Sequence, residues 1–290
     1  MTQAIRRLAS IDAFRALTMF LMIFVNDLES LKHIPLWLEH AKVWEDRMGL
    51  ADTVFPAFLF IVGLSIPFAI RGRESKGYSG QETLIHILTR SFALLVMGIY
   101  HVNLENYDKL GALLPKPLWQ ILITIGFFLV WLDYPASVSK KKRWYLQGSG
   151  IVLLVIMALV YQGTESSGSG HLLSHTWLRP QWYGILGLIG WSYLLCAIIY
   201  LLVKDRLSIL IGVFLFLIGF NMADRSGYLE VLDPVKHYIW IVSSGALPAL
   251  VMAGVICSVL YRKRQRQGSG GRPCWLWVEW RFSCWAQVLG

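Results

Sequence analysis

The stretch Thr53-Val-Phe-Pro-Ala-Phe-Leu-Phe-Ile-Val-Gly-Leu-Ser-Ile-Pro-Phe-Ala-Ile-Arg71 decides the fold class. Between Asp52 and Arg71 it carries no charged side chain. A helix needs about 20 mostly apolar residues to cross the hydrocarbon core of a bilayer. Inside lipid the backbone must satisfy its own hydrogen bonds, so such a run is read as a membrane helix.

Seven further segments approach the same length: 11–27, 83–102, 117–134, 146–162, 182–203, 207–223 and 238–261. The reading is therefore an all-α integral membrane protein, a bundle of about eight transmembrane helices. Composition agrees. Of the 290 residues 56% are hydrophobic and 16% charged, against about 25% charged in soluble domains. Charge at mid-bilayer costs several kcal/mol, which depletes it from lipid-facing surfaces.

The net charge of +9 would suit a nucleic-acid partner, but the basic residues sit in short loops between apolar spans. No basic and aromatic interleaving typical of a nucleic-acid binder occurs, so no nucleic-acid partner is expected. The basic residues instead set orientation. With the N-terminus inside, fifteen Lys and Arg fall in inner segments, among them Arg71, Arg73, Lys140–Arg143, Lys204, Arg206 and Arg262–Arg264. Eight fall outside: Lys32, Lys42, Arg47, Lys109, Lys116, Arg179, Arg225 and Lys236. Cytoplasmic loops hold the excess of cations in membrane proteins. Both termini are thus expected in the cytoplasm, with the chain multi-pass in the cell (inner) membrane and its partner the lipid bilayer.

Residues 1–266 read as one transmembrane domain, with the Lys140–Arg143 linker as a short cytoplasmic turn. Residues 267–290 form a separate tail, with Trp275, Trp277, Trp280 and Trp285 around Arg272 and Arg281. That tail reads either as an interfacial segment, since tryptophan favours the headgroup level, or as a stretch of non-native coding origin. Cys196, Cys257, Cys274 and Cys284 show no redox or metal spacing and read as free thiols. No cleavable secretory signal is expected, because Asp12 and Arg15 interrupt the first apolar run and no small-residue cleavage site follows.

Polar groups at the ends of spans are the candidates for chemistry, because lipid disfavours them. Asp12 and Arg15, three residues apart, share a helix face. They read either as a snorkelling ion pair or, through Arg15, as part of an anion site. Asn26 and Asp27 close the first span at its outer end. The outer loop then supplies His40, with Trp37 and Trp44 able to return it to the membrane surface and Asp52 able to orient the imidazole. Histidine is the usual side chain for proton transfer near neutral pH.

His86 and Arg90 are four apart toward the inner end of the third span, either lining a phosphate pocket or snorkelling. His101 and Asn103 follow at its outer end. His171 and His175 are also four apart but lack a third ligand, so no metal site is expected. The chain has no G-x-x-x-x-G-K-[ST] loop, no G-x-S-x-G elbow and no H-E-x-x-H helix.

Three runs carry a family resemblance. Arg7-Leu-Ala-Ser-Ile-Asp-Ala-Phe-Arg15 with Met22-Ile-Phe-Val-Asn26 is similar to the opening of the heparan-α-glucosaminide N-acetyltransferase family of membrane proteins. Leu50-Ala-Asp-Thr-Val-Phe-Pro-Ala-Phe-Leu-Phe-Ile-Val-Gly63, preceded by His40 and Trp44, also resembles that family, as does Arg179-Pro-Gln-Trp-Tyr-Gly-Ile-Leu-Gly-Leu-Ile-Gly-Trp191. The resemblance implies acetyl transfer across a membrane, from cytoplasmic acetyl-CoA as co-substrate to an amino sugar or glycan outside. It matches His40 to the family's active histidine, Asn26 to its asparagine and Asp52 to its aspartate, and it suggests a homodimer. Arg15, His86 and Arg90 become candidates for the CoA phosphates. Ala16 stands where the family has glycine, and the family's members have about ten or eleven spans, so this chain is expected to be short at its C-terminus.

On this reading His40 acts as general base on the sugar amine or as a transient acetyl carrier, and the residues alone favour neither route. Asp52 would orient His40 and Asn26 would steady the developing oxyanion. Two other classes fit the same composition: a transporter or flippase of glycans or small molecules, and an inactive membrane scaffold related to the enzymes. Gly63 and Pro67, which interrupt the second span, are the feature a transporter with a broken helix would share.

Overall fold

The computed structural model describes residues 9–28, 31, 33–42, 44–108, 111–165, 174–229 and 245–266. The Trp-rich tail, Arg6, Arg7, His171, Cys274, Cys284 and the start of the last apolar segment lie outside the described residues.

Eight helices are described: α1 (Ala9–Leu28), α2 (Leu50–Glu74), α3 (Gly80–Val102), α4 (Lys116–Trp131), α5 (Lys140–Val160), α6 (Gly184–Val203), α7 (Leu207–Arg225) and α8 (Ala246–Arg266). Each expected apolar segment overlaps one. Six of them, α2, α3, α5, α6, α7 and α8, are long and apolar enough to cross a membrane. Of the other two, α4 has 16 residues, about 24 Å at 1.5 Å per residue, and α1 carries Asp12, Arg15 and Asp27 within its 20.

Local sequence explains where two elements depart from the expected boundaries. The basic stretch Lys140–Arg143, expected as a turn, is instead the first turn of α5. Ser139 caps it, its side chain accepting from the Lys142 N–H at 3.3 Å, which satisfies one of the donors a helix start leaves open. The long loop after α5 contains a small antiparallel pair, β1 (Gly163–Glu165) and β2 (Ser174–Thr176), in the register Gly163 to Thr176 and Glu165 to Ser174.

The chain divides into two compact units. The first draws its described residues from within 1–84, 195–221 and 246–290. Its centre is the packing of α2 on α8. A Cβ built on Gly63 would lie 1.9 Å from the Val251 carbonyl oxygen, and one on Gly254 would lie 2.1 Å from that of Phe60. Only hydrogen fits there, so the two backbones touch, as small residues allow between membrane helices. Around this contact Leu59, Ile66, Val251, Met252, Val255 and Val259 are buried. The positions 251, 255 and 259 recur at the spacing of one helix face. α2 runs unbroken through Pro56, Gly63 and Pro67.

The second unit draws its described residues from within 85–194 and 222–245. Its core is aromatic: Tyr100, Tyr107, Trp119, Phe127 and Tyr161 pack with Ile123, Leu154 and Met157. The polar ends of these rings all find backbone acceptors. The Trp119 indole donates to the Met157 carbonyl at 3.0 Å, Tyr100 to that of Leu154 at 2.7 Å and Tyr161 to that of Asn103 at 2.9 Å. Asn103, itself buried, ties the end of α3 to the segment before α6. Its amide donates to the Arg179 carbonyl at 2.7 Å and its oxygen accepts from the Arg179 N–H at 3.2 Å.

Candidate functional site

Two of the residues nominated by the sequence, His40 and Asp52, meet at the start of α2, within the first unit. Val25 packs with Ala51 and Val54, flanked by Leu21 and Met22. This joins the last turn of α1 to the first turn of α2. Asn26 follows Val25 directly and is exposed on that turn.

The loop between these helices folds back on the start of α2. The Leu50 N–H donates to the Trp37 carbonyl at 2.7 Å. Beside it Gly49 is buried, and a Cβ there would sit 1.9 Å from the Glu39 carbonyl oxygen. Any side chain at position 49 would push this part of the loop away. Arg47 holds the other side. It donates to the carbonyls of Leu36 at 2.5 Å and His40 at 3.3 Å, and to the Glu45 carboxylate at 2.5 Å. That hydrogen bond holds the Glu45 carboxyl below its ordinary range, against a smaller opposing push from desolvation.

Asp52 is the hub. Its Oδ2 accepts from the Gly49 N–H at 2.9 Å and the Ala41 N–H at 3.0 Å. The Gly49 bond is the carboxylate half of a capping box, in which the third helical residue reaches back to the cap backbone. Its Oδ1 lies 2.8 Å from His40 Nδ1. An acceptor-only carboxylate opposite Nδ1 fixes the neutral imidazole with its proton on Nδ1 and its lone pair on Nε2. The His40 side chain is 53% exposed and that of Asp52 25%, so the oriented imidazole remains accessible. Trp37 and Trp44 are also exposed, with Lys42 Nζ 5.8 Å from the Trp44 ring centre.

The remaining candidates have other partners. Arg15 is held on α1 by Asp12 at 3.3 Å and reaches Ser65 Oγ on α2 at 2.8 Å; its guanidinium joins the two helices. His86 and Arg90 belong to the second unit, both exposed, and Arg90 lies over the Tyr193 ring at 5.5 Å. His101 stacks on Phe127 with ring centres 5.6 Å apart. The side chain of His175 lies outside the described residues. Among the described residues no group of three His, Cys, Asp or Glu is placed to hold a metal.

Sequence reasoning passed over two features. Arg47 is one, and nothing in the linear pattern marks it. The other joins the ends of α2, α6 and α8: Arg71 and Arg262 both bond Asp205, and Tyr200 donates to the same carboxylate at 3.0 Å. Lys204 pairs with Glu74 beside them. Asp205, an acid between Lys204 and Arg206 in an otherwise basic turn, was the available signal.

These elements define a helical membrane protein with a histidine–carboxylate pair beside the start of its second helix. A family model described as "Domain of unknown function (DUF5009)" matches residues 7–243, and the chain belongs to that family, which is related to heparan-alpha-glucosaminide N-acetyltransferase. The heparan-alpha-glucosaminide N-acetyltransferase of Mus musculus is 31% identical over 145 residues, 47% of this chain and 21% of that protein. Its Homo sapiens counterpart is 39% identical over 101 residues, 35% of this chain and 14% of that protein. The matches thus span about a fifth or less of these curated relatives. No solved structure matches the chain.

Proposed function

We propose that this chain is a transmembrane acetyltransferase that moves an acetyl group from cytoplasmic acetyl-CoA to an amino sugar or glycan on the opposite face. The observation that carries the reading is the 2.8 Å approach of His40 Nδ1 to Asp52 Oδ1, with the other carboxylate oxygen already pinned by two backbone N–H groups. A carboxylate held in this way leaves Nε2 of His40 as the acceptor, which is what either catalytic route needs.

In the direct route Nε2 takes a proton from the substrate ammonium or from the amine as it attacks the thioester carbonyl. The new C–N bond forms, the C–S bond breaks, and the thiolate of CoA leaves and is protonated. In the stepwise route Nε2 itself attacks the thioester, the C–S bond breaks and the CoA thiolate leaves, giving an acetyl-imidazole; the amine then attacks that acetyl group, forming the C–N bond, losing a proton and releasing the imidazole. Asn26, exposed on the last turn of α1, would donate to the developing oxyanion. Arg15 in the first unit and, separately, His86 and Arg90 in the second are the candidates for the phosphates of CoA. In this reading residues 1–266 form one catalytic membrane domain of eight spans with both termini cytoplasmic, in the cell membrane, and two copies associate as a homodimer.

The test is transfer of labelled acetyl groups from acetyl-CoA to a panel of amino sugars by the purified chain, beside His40→Ala. Transfer that disappears in the variant, with folding retained, supports the reading. Equal transfer by both proteins removes His40 from the mechanism, and absence of CoA binding by the parent chain refutes the acetyltransferase reading.

A further inference from the structure

The network at the ends of α2, α6 and α8 carries more positive charge than its own acids neutralise. Among the described residues, Asp205 is its only carboxylate apart from Glu74, which Lys204 engages. Oδ2 of Asp205 takes Arg71, while Oδ1 takes Arg262 and the Tyr200 hydroxyl. The Tyr200 oxygen in turn accepts from Arg71 Nε at 3.3 Å and from Arg262 Nη2 at 3.2 Å. Two guanidinium groups thus share one carboxylate whose two oxygens are both committed. The set keeps a charge near +1.

The donors are unbalanced as well. Arg262 uses Nη2 for both of its bonds. Its Nε and Nη1 are buried and have no hydrogen-bond partner among the described residues. The Phe68 ring lies against the guanidinium at 6.0 Å, and an aromatic face accepts charge without satisfying in-plane N–H groups. Buried polar groups are normally hydrogen-bonded, and those of a cation are the most costly to leave open.

We infer that Arg262, with Arg71 beside it, binds a phosphate-bearing group. Phosphate supplies several strong acceptor oxygens and the missing negative charge, and arginine is the side chain whose planar donors match it. Asp205 and Tyr200 then serve as positioning residues: they hold both guanidinium groups before the ligand arrives. The chemistry has two possible sources, a soluble phosphate ester and the headgroup of an anionic lipid. Neither depends on acetyl transfer, so the inference stands or falls apart from the role of His40.

The experiment uses the full chain in nanodiscs. In phosphatidylcholine discs, inorganic phosphate and coenzyme A are titrated and the unfolding midpoint and Kd are read. In parallel, discs containing phosphatidylglycerol are compared with pure phosphatidylcholine discs without soluble ligand. A shift with the soluble probes assigns a phosphate ester, and a shift confined to phosphatidylglycerol assigns a lipid headgroup. In either case Arg262→Gln is expected to weaken binding roughly tenfold or more, while Lys141→Gln, an exposed cation on α5, leaves it unchanged. If Arg262→Gln does not fold, Arg262→Lys keeps a cation for Asp205 but loses the planar fork, and the same loss is expected. Failure of every probe to shift the parent chain overturns the inference. So does a folded Arg262 variant that binds as the parent does.

Discussion

Replacing Asp52 by Asn tests the proposed site most sharply, because the amide keeps the shape of the carboxylate and changes only its bonding. Asp52 accepts three hydrogen bonds: two from backbone N–H groups at Oδ2 and one from His40 at Oδ1. An amide must choose. With its oxygen toward Ala41 and Gly49, its NH2 faces His40 Nδ1. With its oxygen toward His40, its NH2 faces two backbone donors, each costing about 1–3 kcal/mol if left unsatisfied. Two losses outweigh one, so the first orientation wins. Nδ1 must then accept and the proton moves to Nε2, which removes the lone pair that both catalytic routes use. The weakening of a charge-assisted bond, about 1.5–3 kcal/mol, sets a floor of roughly tenfold to 100-fold on the loss of activity. The wrong tautomer carries it toward the roughly 10⁴-fold seen when a triad aspartate is so replaced. The assay is kcat/KM for acetyl transfer, with the unfolding midpoint measured beside it. A folded Asn variant with transfer within about threefold of the parent would refute the orientation argument.

Other outcomes follow from the same geometry. Gly63→Ala places a methyl group 1.9 Å from the Val251 carbonyl, so α2 and α8 must separate; the loss expected is about 1–3 kcal/mol of stability, read as a lower unfolding midpoint. Asn103→Ala removes two hydrogen bonds to the Arg179 backbone at a cost of about 1–3 kcal/mol, and limited proteolysis between β2 and α6 should accelerate. The Glu45 carboxyl is held below its ordinary range by Arg47. Its contribution is therefore fully present above the ordinary value and lost as pH falls through the lowered one. Hydrogen exchange in residues 36–42 should stay slow through the ordinary glutamate range and rise only below it. An increase already complete at mildly acidic pH would exclude Glu45 as the group that holds Arg47.

Much of the helical layout was legible in the linear pattern because lipid imposes a length and a composition on whatever crosses it. Thr53–Ile70 could be read as a helix without reference to any partner, since its backbone had no other way to satisfy its donors in hydrocarbon. The ends were less legible. The helical start at Lys140 depends on a single Ser139 cap, and such local hydrogen bonds leave a weak mark on hydropathy. The pairing of His40 with Asp52 was expected from two residue types and a resemblance, but the two stand twelve positions apart, across the end of a loop and the first turn of α2. What closes that distance is a set of backbone contacts: Leu50 to Trp37, Ala41 to Asp52, and the space that Gly49 leaves beside Glu39.

The sequence by itself determined that the chain is helical and built for a membrane, because burying an unpaired peptide group or a charge in lipid is too costly for any alternative. It also nominated His40, Asp52 and Asn26 through residue type and position. Only the tertiary structure decided that Arg15 also reaches Ser65 on α2, that Arg47 pins the His40 loop, and that Asp205, in the turn after α6, gathers Arg71, Tyr200 and Arg262 from three helices into one network. Hydropathy is a property of single side chains summed along the chain, whereas a hydrogen bond or an ion pair depends on which distant residues packing brings within about 3 Å.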